Sequence, residues 1–311
     1  MVETFLKVRA AGALTTIQDR GRFGYQRYGV TEGGAMDRAS FAVGQRAMRK
    51  GPQGTAIEVG LGGLRLDCLS GGTTFAVTGG DFIVSLPGRV LHGWTIADLC
   101  GGESIDIRPR WWGNWCYLTF AGDIGAPTWL GSKSVNPALS FTGRPLVEGD
   151  EIVVDGGKLQ AVALRQLPVP VFARPRPEIQ AVPGPQERFF APLAFERLFE
   201  QQFAISMHYD RMGVKLEGPE LPIETALDMP SEGILRGSIQ VQGSGKAVVL
   251  MADHQTTGGY PKIATVISTD QDALAQLRPR HPVIFRPVSV ERAIQRARIR
   301  HKTFTAYLES I

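Results

Sequence analysis

Short runs of β-branched and aromatic residues, broken repeatedly by glycine, constrain this chain more than any other feature. Phe75-Ala-Val-Thr78, Ile83-Val-Ser-Leu86, Ser104-Ile-Asp-Ile107, Trp115 to Phe120 and Ile152-Val-Val154 have the length and composition of strands. Glycine pairs at Gly71-Gly72, Gly79-Gly80 and Gly101-Gly102 fall at intervals suited to the turns of a meander. With 37 Gly and 20 Pro in 311 residues, turns are too frequent for long helices to dominate. The expected class is mainly β with a few short helices; periodicity shows β-richness and a hinge, and no more.

Helical spacing is sparse. Asp37 is placed to cap Arg38 to Arg49, where Phe41, Ala42, Gln45 and Met48 recur every three or four residues. Pro192 opens Leu193 to Gln202, and Asp270 caps a short Gln271 to Leu277 turn. Ser289 opens Val290 to Arg300, a basic, partly amphipathic helix carrying Arg292, Arg296, Arg298 and Arg300. The alternating prolines of Leu167 to Pro177 stiffen the chain and deny it ladder hydrogen bonds, so a boundary is expected there. The expected organisation is an N-terminal lobe over 1–167, a second lobe over 168–288 and a basic tail over 289–311. No solenoid-type repeat is visible.

Composition sets limits on function. At 43% hydrophobic and 21% charged residues the chain reads as a soluble globular protein with a sizeable core. A net charge of +4 calls for neither nucleic acid nor membrane. No aromatic residues interleave with the basic tail, which reads as a solvated or partner-facing helix. Cys68, Cys100 and Cys116 have no C-x-x-C spacing and read as reduced, structural thiols. No apolar run is long enough to span a bilayer, and the N-terminus lacks an export pattern, so a cytoplasmic location is expected.

Several common catalytic devices are missing. Gly60-x-Gly62 is followed by Arg65 where a dinucleotide fingerprint needs glycine. Gly243-Ser-Gly-Lys246 resembles half a phosphate loop, but Gln240 and Ala247 replace its upstream glycine and its hydroxyl. The histidines at 92, 208, 254, 281 and 301 have no paired metal spacing, and no Gly-x-Ser-x-Gly elbow exists.

What remains is a crowded polar turn. The apolar run Ala247 to Ala252 reads as a buried strand, and Asp253-His-Gln-Thr-Thr-Gly-Gly-Tyr-Pro-Lys262 follows it directly. So many donors and acceptors after a core strand are costly to bury unless something pairs with them. Asp253 can accept from an amide N–H or act as a base, and Tyr260 can stack or donate its hydroxyl. Gln240 and Gln255 match a ureido or lactam group, each with one acceptor and two donors. Thr256 and Thr257 with the Gly258-Gly259 backbone can line an oxyanion pocket, while Arg211 and Arg22 can hold a carboxylate. A second reading stands beside each. The loop can be satisfied by its own backbone, Asp19–Arg20 and Asp210–Arg211 can be structural ion pairs, and Glu58 can lie on a solvated face.

Together with Gln18-Asp-Arg-Gly21, Arg22-x-Gly24 and Gly34-Ala-Met-Asp37, this block resembles the biotin-dependent carboxyltransferase family. That family includes allophanate hydrolase subunit 2, the C subunit of 5-oxoprolinase and the Kip-type kinase-inhibitor antagonists. Further matches follow in the same order: Leu130-Gly-Ser132, Gly143-Arg144, Gly149-Asp150, Asp210-Arg-Met-Gly213, Leu216-Glu-Gly-Pro219 and Ser231 to Gln240. The resemblance covers about residues 12 to 292 and implies two cyclophilin-like β-barrel lobes. It also implies a hetero-oligomeric enzyme that acts on a resonance-stabilised N–C=O group. One form opens the lactam of 5-oxoproline with ATP hydrolysis, in company with a Kip-inhibitor-like protein (the B subunit) and a LamB-type protein (the A subunit). Another passes carboxyl from N-carboxybiotin to a urea-type nitrogen, and a third binds a kinase inhibitor without catalysis.

No biotin-carrier Met-Lys occurs, and a chain of this size fits the 5-oxoprolinase type best. The resemblance makes Asp253 and Tyr260 the catalytic candidates. Arg211, Gln240, Gln255, Thr256, Thr257, Gly258, Gly259, Asp19 and Arg22 are the substrate-binding candidates. No metal ligand is expected, and any ATP or biotin is expected at the level of the complex. The chain departs from the family at Gln45 (usually Asn), Arg49-Lys50 (Gly-Asn), Gln242 (Pro) and His254 (Arg). The loop after Gly131-Ser132 is short and reads Ser134-Val-Asn-Pro137. An arginine lost at His254 removes a potential carboxylate contact and points to a paralogue that uses another amide.

Overall fold

The structure is a computed structural model that describes residues 2–51, 53–160, 164–224 and 229–311. Spatial clustering divides the chain into two compact units. The first holds Met1–Arg22, Gly33–Arg174 and Leu308–Ile311; the second holds Phe23–Glu32 and Pro175–Tyr307. The boundary lies at Arg174 rather than 167 because Leu167 is buried and still donates to the Trp94 carbonyl (2.6 Å). The proline-rich segment forms a single 3-10 turn at Val171–Ala173 instead of a crossing strand. Residues 289–311 are not a unit of their own, since the tail groups with the second unit as far as Tyr307.

In the first unit two antiparallel sheets enclose one core. Leu64–Ser70 lies between Val2–Ala11 and Ser104–Pro109 in the first sheet. Gly72–Gly79 lies between Thr95–Cys100 and Cys116–Phe120 in the second. Alternation sorts the faces: Leu64, Leu66 and Cys68 point inward while Arg65 and Asp67 do not. Phe75, Phe82 and Phe120 are fully buried in the shared cluster, each stabilising the unit by about 1.5–3 kcal/mol.

Helix α1 (Arg38–Ala47) starts where expected. The Asp37 carboxylate accepts from Ser40 N (2.9 Å) and Ser40 Oγ (2.6 Å). It ends before Arg49 because Arg49 takes a left-handed φ of 54°. Glu58 does not lie on a solvated face: it is wholly buried and accepts from Met36 N (2.7 Å) and Tyr117 Oη (2.9 Å).

The second unit is built on a closed seven-stranded barrel. Its strands run in the order Glu178–Pro183, Lys262–Val266, Ser238–Val241, Ala247–Leu250, Gly213–Glu217, Phe203–Tyr209 and Pro282–Pro287. The closing pair, Glu178–Pro183 with Pro282–Pro287, is parallel. Helices α2 (Pro192–Glu200) and α3 (Ser268–Ala275) belong to its sequence range, as does α4 (Val290–Ser310) as far as Tyr307. α3 begins before Asp270, whose carboxylate accepts from Gln180 N (2.9 Å) instead of capping the helix. The chain is therefore mainly β, as expected; the second lobe closes into a barrel, and the first divides its strands between two sheets. Gly243 to Lys246 is the turn of an antiparallel hairpin, not a strand-to-helix phosphate loop.

Candidate functional site

Barrel alternation sets one row of side chains on the outer face. Val214, Leu216, Ile239, Val241 and Val249 fill the interior, which turns Lys215, Val248 and Gln240 to the opposite face. Lys215 is directly opposite Val248, and Val248 is directly opposite Gln240, so three adjacent strands present them side by side. Gln255 and Tyr260 descend from the following loop, and His208 and Asp210 come from the preceding strand and turn. All of these line a cavity of ≈ 510 Å³, within the range of small-molecule sites.

The two glutamines are arranged for an amide. Gln255 Nε2 donates to Gln240 Oε1 (3.3 Å), and Gln240 Nε2 donates to the Tyr260 carbonyl (3.4 Å). Among the described residues, Gln255 Oε1 and the Tyr260 hydroxyl have no hydrogen-bond partner. One acceptor and one phenolic donor therefore face the cavity unspent. Gly258 does not use a left-handed φ; a Cβ there would stand 2.8 Å from Gln240 Nε2, so glycine leaves room for that amide.

Asp253 is elsewhere. Its carboxylate meets Arg211 bidentately, Nε to Oδ2 at 2.8 Å and Nη2 to Oδ1 at 3.1 Å, and both side chains are buried. Asp253 N also donates to the Arg211 carbonyl (2.8 Å), and Met251 N to that of Met212 (2.9 Å). The Asp210-Arg-Met-Gly213 motif and the Asp253 block thus meet as one stitched pair of loops. Neither Arg211 nor Asp253 lines the cavity. Asp210 does not pair with Arg211 in the salt bridge; its Oδ1 accepts from Met212 N (2.8 Å) and Gly213 N (3.0 Å) and shapes the turn.

The Thr256 to Gly259 backbone is mostly committed to structure. Thr257–Gly258 pairs with Glu232–Gly233 as a two-stranded ladder, and the Thr256 carbonyl accepts from Ile234 N (3.1 Å). None of Thr256, Thr257, Gly258 or Gly259 lines the cavity, so the expected oxyanion pocket is not formed by this stretch. Asp19 and Arg22 belong to the first unit. Asp19 accepts from Gly21 N, Ser132 Oγ and Lys133 N, each at 2.7 Å. Arg22 is buried, donates to the Trp129 carbonyl (3.3 Å) and that of Ser134, and lies over the Trp129 ring. Both hold the Ser132–Ser134 segment, and neither joins the cavity of the second unit.

The departures are accommodated locally. His254 is buried, Nδ1 lies 2.5 Å from the Gln255 carbonyl, and burial pushes its pKa below the ordinary value, so it is not a cation for a carboxylate. Gln242 N donates to the Lys246 carbonyl (2.9 Å), a bond that proline cannot make. Gln45 Nε2 donates to the Thr55 carbonyl (3.2 Å), and Lys50 Nζ reaches Gly122 O and Asp123.

Lys215 and His208 escaped the sequence reading. The strand Gly213–Glu217 alternates plainly, so Lys215 was legible as outward-facing, but only the sheet register sets it beside Gln240. Among the described residues no three His, Cys, Asp or Glu groups are placed to hold a metal. No described helix is long and apolar enough to cross a membrane.

A family model described as "Carboxyltransferase domain, subdomain A and B" matches residues 28–287, and the chain belongs to that family. It is 32% identical to the C subunit of 5-oxoprolinase from Haemophilus influenzae, over 95% of this chain and 94% of that protein. To the C subunit of the Escherichia coli 5-oxoprolinase it is 31% identical, over 93% of each chain. The solved Kluyveromyces lactis urea carboxylase superposes with a TM-score of 0.85 at 25% identity. That match covers 97% of this chain but spans only 29% of the urea carboxylase chain. The relatives are enzymes or enzyme subunits.

Proposed function

We propose that this chain is the component corresponding to the C subunit of 5-oxoprolinase, within a hetero-oligomeric, ATP-dependent enzyme that opens a small cyclic amide to its amino acid. The observation that carries it is the Lys215–Val248–Gln240 row beside Gln255 and Tyr260, one cavity with an amide-matched acceptor, a phenolic donor and a cation. A lactam carboxylate such as 5-oxoproline needs those three contacts. Gln255 Oε1 accepts the lactam N–H, the Tyr260 hydroxyl donates to the lactam carbonyl, and Lys215 takes the carboxylate. Lys215 has no carboxylate partner among the described residues and replaces the cation absent at His254. Gln240 orients Gln255, and the Arg211–Asp253 pair positions the loop from behind.

The cavity has no glycine-rich phosphate cradle, and ATP-dependent activation of the substrate belongs to the complex assembled with the LamB-type and Kip-inhibitor-like partners. The full-length likeness to the C subunits of two bacterial 5-oxoprolinases supports this reading. A second reading, biotin-dependent carboxyl transfer to a urea-type nitrogen, is favoured by the likeness to urea carboxylase. The same Gln255 acceptor and Tyr260 donor fit a ureido group; N-carboxybiotin, when bound, would supply the transferable carboxyl and leave as biotin.

Reconstitution with a Kip-inhibitor-like protein and a LamB-type protein tests both. ATP-dependent glutamate release from 5-oxoproline is expected, with KM raised about 10- to 100-fold in Lys215→Met. Urea-dependent fixation of labelled bicarbonate with a biotin carboxylase, and no glutamate, would select the second reading. Neither product from a folded complex would end both.

A further inference from the structure

The amide cavity is longer than a single lactam ring. Its floor crosses four adjacent strands, Phe203–Tyr209, Gly213–Glu217, Ala247–Leu250 and Ser238–Val241. Neighbouring strands lie about 4.8 Å apart, so about 14 Å separates the backbone of His208 at one end from that of Gln240 at the other. In 5-oxoproline the ring carbonyl oxygen and the farther carboxylate oxygen are only about 6 Å apart, by ordinary bond lengths. With the lactam held at Gln255 and Tyr260, such a molecule meets the long side chain of Lys215 and leaves the His208 end empty.

That end is shaped by the chain. Ile205 is opposite Leu216 and Tyr209 is opposite Val214, so Ser206, Met207 and His208 together face Lys215 alone. A bulge of this kind re-aims a side chain, and His208 lines the cavity. Buried Ser206 fixes it, its Oγ accepting from His208 N (3.2 Å). Among the described residues the His208 imidazole has no hydrogen-bond or ion-pair partner. Asp210 spends Oδ1 on its own turn, and its Oδ2 has no partner among them either. Between the two polar ends the wall is apolar, made by Val248, Leu250 and Met212. Gly213 is opposite Leu250, and a Cβ there would stand 2.9 Å from Val248 Cγ1, so glycine keeps this middle stretch open.

Resting on the lactam reading of the site, we propose that its substrate is a 5-oxoprolyl peptide, a lactam whose exocyclic carboxyl is joined in an amide to an apolar amino acid. The ring keeps its contacts with Gln255 and Tyr260, and Lys215 donates to the exocyclic carbonyl in place of a carboxylate. The added side chain covers Val248, Leu250 and Met212. Its amide N–H has an acceptor in Asp210 Oδ2, and its terminal carboxylate has a donor in the His208 imidazole. Opening the ring consumes one water. The hydroxyl goes to the ring carbonyl carbon as the C–N bond breaks, the nitrogen takes the proton, and the exocyclic amide stays intact. ATP is hydrolysed to ADP and phosphate alongside, as for the simple lactam.

Kinetics of the complex reconstituted with the Kip-inhibitor-like and LamB-type proteins test the proposal. 5-Oxoproline and 5-oxoprolyl-leucine are the probes, with glutamate and glutamyl-leucine read by mass spectrometry. The dipeptide is expected to show a KM about tenfold or more below that of 5-oxoproline, the effect of burying one aliphatic side chain. His208→Ala, at an unchanged melting temperature, should cut that ratio of KM values about threefold or more. His208→Gln keeps a donor and should retain most of the ratio, while Lys215→Met should raise KM for both substrates. If 5-oxoproline is opened and the dipeptide is opened no better or not at all, the proposal is overturned and the lactam reading stands. A preference that His208→Ala leaves untouched overturns the placement of the added residue. Opening of neither substrate by a folded complex overturns the lactam reading and the proposal with it.

Discussion

Arg211 and Asp253, 42 positions apart, form a bidentate ion pair with side chains only 2% and 1% exposed. The pair joins the two loops that flank the candidate site. Removing one partner strands the other charge in a dry interior. Asp253→Ala is therefore expected to cost about 3–5 kcal/mol, read from urea unfolding. Replacing both partners together, Arg211→Met with Asp253→Leu, should recover much of the loss. An Asp253→Ala protein as stable as the parent would show that the pair is not a structural clamp.

Gln255 and Tyr260 carry the opposite expectation, because both reach the cavity and neither is fully buried. Gln255→Ala and Tyr260→Phe should each change stability by less than about 0.5 kcal/mol. Each should weaken substrate binding by about 0.5–1.5 kcal/mol, the net worth of one hydrogen bond. Thermal melts paired with kinetics of the reconstituted complex separate the two effects. Equal losses of stability and activity would reassign both residues to the scaffold.

His254 gives the second unit a pH signature. Burial holds its pKa below the ordinary histidine value of 6.5. Below that pH the unfolded chain takes up a proton that native His254 resists, so acid destabilises the fold; above it the contribution is level. His254→Gln should narrow the gap between melting temperatures at about pH 7.5 and about pH 5. An unchanged gap would mean that native His254 protonates as readily as the unfolded chain.

The cysteines should separate by access. Cys100 is exposed while Cys68 and Cys116 are buried, and burial pushes the Cys116 thiol well above its ordinary range. A thiol reagent at about pH 8 should label Cys100 alone in the native protein and all three after unfolding. Mass spectrometry of labelled peptides reads the result; native labelling of Cys116 would contradict the packed core.

Much of this protein is written in local sequence. Period-two alternation in Leu64–Ser70 and Gly213–Glu217, the Asp37 cap and the polar turn after Leu250 all depend on near neighbours, and local patterns declare them. Other features depended on distant chain. Asp253 reads equally well as a base or as an ion-pair partner until Arg211 is brought against it across the barrel rim. Thr257 and Gly258 look like pocket lining until Glu232–Gly233 takes up their ladder. Lys215 is an ordinary outward-facing lysine until register places it in line with Gln240. Composition and motif order settle class and kinship, because they follow from turn frequency and local hydrogen bonding. Which polar groups are spent and which remain free for a ligand is a matter of strand register, and only the closed barrel decides it.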